Sequence, residues 1–124
     1  MAAHNDLGAI GEEKSAEYLV SKGYVIRQRN WRSGKYELDI VAEKDDVLVI
    51  VEVKTRKSGS LTSPQDSVDK NKMKNTIYAA NSYITRFNIN KSTRFDIISV
   101  WIDVAGNMEK LEHLEDAFLP YVNW

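Results

Sequence analysis

Lys35–Arg56, KYELDIVAEKDDVLVIVEVKTR, is the stretch on which the fold turns. Tyr36 to Ala42 alternates apolar and polar residues, whereas Val47 to Val53 is nearly continuous valine, leucine and isoleucine. Both patterns read as β-strands. With Glu43-Lys44-Asp45-Asp46 as the turn between them, the segment reads as an antiparallel hairpin. A period of two places Glu37, Asp39 and Val41 on one face and Leu38, Ile40 and Ala42 on the other. The second strand ends Glu52-Val53-Lys54, with Glu52 and Lys54 sharing a face. Antiparallel pairing sets the start of one strand beside the end of the next, so Asp39 and Glu52 come within reach of each other.

Carboxylates crowded among Val, Leu and Ile repel one another and shift their pKa values unless something neutralises them. A hard divalent cation is the usual remedy. Mg²⁺ is commonly held by one or two protein carboxylates, with water and substrate phosphate filling the other positions. Asp39 and Glu52, with Lys54 beside them, therefore point to the chemistry of phosphodiester cleavage. The plainer alternative is a solvated strand end in which Lys54 pairs with Glu52 or Glu37, and the short pattern alone leaves both open.

Upstream of the hairpin, a helix is expected from Asn5 or Asp6, either of which can cap, to about Lys22, with Gly23 as its stop. Steps of 100° gather Gly8, Ala9, Glu12, Ser15, Ala16 and Leu19 on one side. Glu12 thus sits on a face of small and apolar residues; an acid in the first half of the helix favoured by the helix dipole is the alternative reading. A first strand opens at Gly23 and runs to Trp31, and Arg32 to Lys35 turns into the hairpin. Its arginines either discourage edge-to-edge pairing or contact phosphates, with Trp31 placed to stack on a base.

Downstream, Thr55 to Thr62 is a flexible loop, and Ser63-Pro64 with Asp66 starts a helix reaching about Thr85. Its core stripe is Val68, Met73, Ile77, Ala80 and Ile84; Lys70, Lys72 and Lys74 are expected on its solvated side or facing a substrate. Thr93 to Val104 is a central strand, Ala105-Gly106-Asn107 a turn and Met108 to Leu114 the last strand. The strand–helix–strand crossover should be right-handed, making its two strands parallel. The fold class is α/β: one mixed sheet flanked by helices, in the order αβββαββ, spanning residues 1–124 as a single domain.

A chain of 124 residues fits one core, and 43% hydrophobic with 28% charged residues is ordinary globular composition. The absence of cysteine excludes disulfides, thiolate zinc sites and a cysteine nucleophile. The residues after Met1 do not read as a signal peptide and the apolar run Val47–Val51 is too short to cross a bilayer, so a cytoplasmic protein without membrane association is expected. A net charge of −1 argues against coating nucleic acid through bulk electrostatics. The charge is uneven, however: Lys22 to Lys35 has five basic residues and no acid, and Lys54, Arg56 and Lys57 add three. Arg29, Trp31, Arg32, Arg56 and Lys57 are the candidate nucleic-acid contacts. His4 and His113 show no partner pattern and receive no role.

Several motifs together resemble one family. Gly8-Ala-Ile-Gly11-Glu12, Arg29-Asn30-Trp31-Arg32, Glu37-Leu38-Asp39-Ile40-Val41, Val51-Glu52-Val53-Lys54-Thr55-Arg56 and His113-Leu114-Glu115-Asp116-Ala117-Phe118 resemble the YraN family. These small bacterial proteins are similar to archaeal Holliday junction resolvases of the PD-(D/E)XK nuclease superfamily. Tyr36 stands where the family pattern usually has glycine. The resemblance implies a restriction-endonuclease-like fold and a Mg²⁺- or Mn²⁺-dependent endonuclease acting on DNA, with branched DNA as a candidate substrate. It implies Asp39, Glu52 and the Val53 backbone carbonyl as metal ligands, Glu12 as a helix acid reaching the metal directly or through water, Lys54 as the residue that positions or activates water, and Glu37 as a secondary candidate. Paired cuts would call for a homodimer, with Phe118 to Trp124 as its interface or as a cover for the core. The alternative function is a nuclease-fold module that binds DNA or a protein without cutting.

Overall fold

In the computed structural model, residues 3–59 and 70–118 are described, with side chains from Leu7 onward. The elements run α1 (Ala3–Ser21), β1 (Val25–Ser33), β2 (Tyr36–Lys44), β3 (Val47–Lys57), α2 (Lys70–Arg86), β4 (Ser92–Ile102) and β5 (Met108–Phe118). This is the expected order, αβββαββ. The five strands form one mixed sheet in sequential order, β1 to β5. β3 lies at its centre, antiparallel to β2 and parallel to β4 across the α2 crossover, which accounts for its apolar run. Asp45 and Asp46 close the β2–β3 hairpin with φ of 53° and 64°, the left-handed pair that a two-residue primed turn requires.

The helices cover opposite faces. Ala16 and Leu19 of α1 pack with Ile40, Ala42, Val49, Val51, Ile98 and Val100. Ile77, Ala80 and Tyr83 of α2 pack with Leu38, Val41, Leu48, Ile50, Phe95 and Ile97. Met73 and Ile84 complete the expected α2 stripe at its edges. Ser63, Pro64, Asp66 and Val68 lie outside the described residues, as does the chain after Phe118. Phe118 itself is buried and stacks on Phe95 with ring centroids 5.0 Å apart.

Several boundaries differ from the sequence reading: Thr55 to Lys57, expected as loop, continue β3 because they pair with β4, and β4 stops at Ile102 rather than Val104. α1 begins at Ala3, ahead of Asn5 and Asp6, so neither caps it. β1 runs to Ser33 and β5 to Phe118, both beyond their expected ends. Each is held by pairing with a neighbouring strand, and such pairing overrides the local turn signals that set the expected ends.

The alternation expected for β2 also breaks, at one place. Leu38 joins the α2-side core while Ile40, two residues on, joins the α1-side core. The paired strand flips in step: Arg29 reaches toward α1, whereas Trp31 packs against Tyr83 of α2. Between them Asn30 has φ 52°, a left-handed conformation that asparagine tolerates better than most residues. Beyond this kink the β2–β3 ladder ends at Ile40↔Val51, while β3 continues beside β4 as far as Lys57. The two central strands therefore part, with Asp39 at the fork.

Candidate functional site

Asp39 occupies that fork as a wedge. The Val53 N–H, left without a β2 carbonyl where the ladder stops, donates to Asp39 Oδ2 at 2.9 Å. The N–H and C=O of a strand residue project from the same edge, so the Val53 carbonyl faces the same gap. The gap opens into a cleft of about 440 Å³ whose walls include Gly8, Ala9, Glu12, Arg29, Asp39 and Thr55. Gly8 and Ala9 keep the helix side of this cleft low. Gly11 brings α1 against β3, because a Cβ there would lie 2.9 Å from Thr55 Cβ and Cγ2 and nearer still to its hydroxyl. The small-residue helix face thus aims Glu12 at Asp39.

Glu52 reaches Asp39 from the other face of the sheet. Only 4% of its side chain is exposed, and Lys72 Nζ of α2 lies 3.2 Å from its Oε2. Burial and then repulsion by Asp39 push the Glu52 carboxyl up to about 7, with Lys72 and Lys54 opposing the rise. Asp39 is also raised, by burial first, although the Val53 N–H and a hydrogen bond with Glu52 hold it back. The pair therefore retains a proton close to neutrality. Glu12 is raised as well, by desolvation and by the charge of Asp39, against the pull of Arg29 and Asn30. Its Oε1 is buried with no hydrogen-bond partner, 3.6 Å from Arg29 Nε.

Three carboxyl groups whose ionisation is disfavoured, one of them carrying an orphaned oxygen, together with a backbone carbonyl facing the gap, form a donor set that fits a hard divalent cation. Among the described residues no three His, Cys, Asp or Glu side chains are gathered closely enough to hold an ion as they stand. Asp39 and Glu12 share the cleft; Glu52 approaches from behind, and Lys54, half-buried two residues further on, follows its face.

The remaining candidates scatter. Arg29 pairs with Glu13 at 2.9 Å as well as with Glu12. Trp31 meets Tyr83 edge-on at 5.2 Å and leans on the α2-side core. Arg32 pairs with Glu37 at 3.1 Å and Lys72 with Glu52 at 3.2 Å, the places in which the plainer sequence reading sets Lys54. The Arg56 guanidinium lies 5.7 Å from the Trp101 ring centre, and Lys57 is exposed.

Two features escaped the sequence reading. Lys72 is not simply on a solvated helix side, because α2 turns it onto a buried acid. The spacing Lys72, Asn75, Thr76 on one helical face was the available signal. His113, assigned no role, is buried between Asp96 and Tyr18: Nε2 lies 2.7 Å from Asp96 Oδ2 and Nδ1 3.0 Å from the Tyr18 hydroxyl. Arg94 and the Asp116 N–H also donate to Asp96. Burial alone would raise that carboxyl; the hydrogen bonds from His113, Arg94 and Asp116 win and hold it below the usual range. These partners lie 17 and 95 residues from His113, a separation no local pattern encodes.

No helix among the described residues is long and apolar enough to cross a membrane. The profile of the uncharacterised protein family UPF0102 matches residues 11–100, from Gly11 through Val100. A UPF0102 protein of Bacteroides fragilis is 50% identical over 97% of this chain and 98% of its own length. Relatives of Bacteroides thetaiotaomicron, at 49% over 97% of the chain and 98% of their length, and Flavobacterium psychrophilum, at 48% over 98% and 100%, carry the same family description.

Proposed function

We propose, for a chain that belongs to the uncharacterised protein family UPF0102, that it is a divalent-metal-dependent DNA endonuclease working at Glu12, Asp39, Glu52 and Lys54. The observation that carries this reading is the meeting of the Asp39 and Glu52 carboxyls where β2 and β3 part, with Glu12 across the cleft. Resemblance to the YraN family and to Holliday junction resolvases supports the same assignment and makes branched DNA the first substrate to try.

Asp39, Glu52 and the Val53 carbonyl would hold Mg²⁺ or Mn²⁺, with Glu12 as a further ligand, directly or through water. Such an ion, when bound, polarises the phosphoryl oxygen and lowers the pKa of water. The protein's own residues do the rest. Asp39, tied to the Val53 N–H, fixes the position of the gap. Lys54 orients the attacking water from the strand position after Val53. Arg29, on the cleft wall, offers a guanidinium to the phosphate. Arg32, Arg56 and Lys57 would offer further phosphate contacts outside the cleft. Paired cutting would use a two-fold dimer in the cytoplasm.

One observation favours a second reading, a module that binds DNA or a protein without cutting: Lys72 already pairs with Glu52 at 3.2 Å. Branched, flapped and linear DNA incubated with wild type and Asp39→Asn, with and without Mg²⁺ or Mn²⁺, separates the two. Cleavage that needs the metal and Asp39 supports the enzyme; DNA retention without cleavage by either protein supports the module.

A further inference from the structure

Lys72 stands between two environments. On one side its ammonium lies 3.2 Å from Glu52 Oε2, a carboxylate that is 4% exposed. On the other it lines a separate cavity of about 130 Å³, on the α2 face of the sheet, together with Arg32, Lys35, Glu37, Asn75 and Thr76. The lysine side chain is 42% exposed, so it can turn from one to the other without crossing the core. Thr76 is buried and its hydroxyl donates to the Lys72 carbonyl at 2.9 Å, which anchors the backbone from which the lysine side chain extends. The cavity carries three cationic side chains against the one acid, Glu37, itself engaged by Arg32 at 3.1 Å. On a chain of net charge −1 that is a local excess suited to a phosphate, and Asn75 adds a short polar side chain.

We propose that Lys72 is a displaceable counter-ion of Glu52: a divalent cation entering beside Asp39 takes over that carboxylate, and the freed ammonium joins Arg32 and Lys35 in a phosphate subsite for the nucleic-acid backbone. The inference rests on the metal-site reading above and adds a residue and a docking face to it. An ammonium and a divalent ion compete for one carboxylate because each alone satisfies it, and two cations around a single buried acid repel. Metal binding and backbone binding are then coupled, each favouring the other.

Calorimetric titration with Mn²⁺ at neutral pH, on wild type, Lys72→Met and Lys72→Arg, reads the first half. Lys72→Met should bind Mn²⁺ on the order of tenfold tighter than wild type, since its competitor is gone, while Lys72→Arg stays near wild type. The second half is read by fluorescence anisotropy of a labelled DNA duplex, with Ca²⁺ as a divalent ion held by oxygen ligands. Wild type and Lys72→Arg should bind the duplex more tightly when Ca²⁺ is added, and Lys72→Met should lose that gain. Thermal melts of all three proteins check folding, and Lys72→Arg keeps the test usable if the methionine variant is unstable: Mn²⁺ binding that differs grossly from wild type in that charge-conserving variant counts against simple charge competition. Equal Mn²⁺ affinity in wild type and Lys72→Met overturns the inference and leaves the metal site standing. Absence of Mn²⁺ binding in every variant overturns the metal reading itself and takes this inference with it.

Discussion

Replacing Glu52 with glutamine removes the charge whose burial is most costly and keeps the shape. Its carboxyl moves from the ordinary 4.5 to about 7 in the folded protein. A raised carboxyl stabilises the fold fully below its unfolded pKa, and that stabilisation drains away as pH climbs through the folded value. At about 1.4 kcal/mol per pH unit, wild type should lose about 3 kcal/mol between roughly pH 4.5 and pH 8 from this group alone. Glutamine does not titrate, so Glu52→Gln should gain on wild type by that amount over the same window. Urea denaturation of the metal-stripped proteins, compared at each pH, reads the difference for the coupled pair, since groups remote from Asp39 and Glu52 are common to both. Mg²⁺ at about pH 8 should then restore wild type and leave the variant unmoved, since binding to the folded state alone adds stability by mass action. Parallel stability profiles for the two proteins, with no growth of the gap above pH 5, would refute the buried-pair account.

Other perturbations probe the frame around that pair. Gly11→Ala puts a methyl group into Thr55 and should cost about 1–3 kcal/mol, as overpacking does; chemical denaturation measures it, and loss of cleavage should accompany it as Glu12 is displaced. Asp39→Ala leaves the Val53 N–H without its acceptor, so hydrogen exchange at that amide should accelerate, with a stability loss of about 1–3 kcal/mol. His113→Ala should also cost about 1–3 kcal/mol by taking a donor from Asp96, yet leave DNA cleavage per folded molecule unchanged. Asp96 itself has a lowered carboxyl, so its contribution is present above the unfolded value of 3.8 and disappears as pH falls below it. An Asp96→Asn variant should therefore differ from wild type least in acid, which equilibrium melts across pH will show.

Much of this was legible in the chain because local chemistry wrote it. The apolar run Val47–Val53 marked a strand, the acidic pair Asp45-Asp46 marked its turn, and the β3–α2–β4 crossover followed from spacing; the middle of the sheet, expected at Thr93–Val104, falls instead on β3, with β4 beside it. Glu12 could be aimed because small residues lined its helix face. The parts that stayed hidden depend on how elements meet. Asn30 gives no sign in sequence that it will adopt φ 52° and carry Leu38 and Trp31 to the opposite face. Period-two reasoning therefore set Glu37 and Asp39 on a common face, whereas the kink sends Asp39 into the fork and leaves Glu37 with Arg32. Lys72 looked like one of three solvated lysines until the rotation of α2 on the sheet placed it over Glu52. Asp96 drew no reading within its apolar strand, because its donors are Arg94 of β4 and His113 and Asp116 of β5.

The central claim is that Glu12, Asp39, Glu52 and the Val53 carbonyl form a cation site at the fork between β2 and β3. Anomalous diffraction from crystals soaked in Mn²⁺ tests it most directly. The account predicts a single strong peak within about 2–2.5 Å of an Asp39 oxygen and of the Val53 carbonyl, with Lys72 turned away from Glu52. Peaks confined to other surface acids, with the Lys72–Glu52 pair intact and the fork filled only by water, would contradict it.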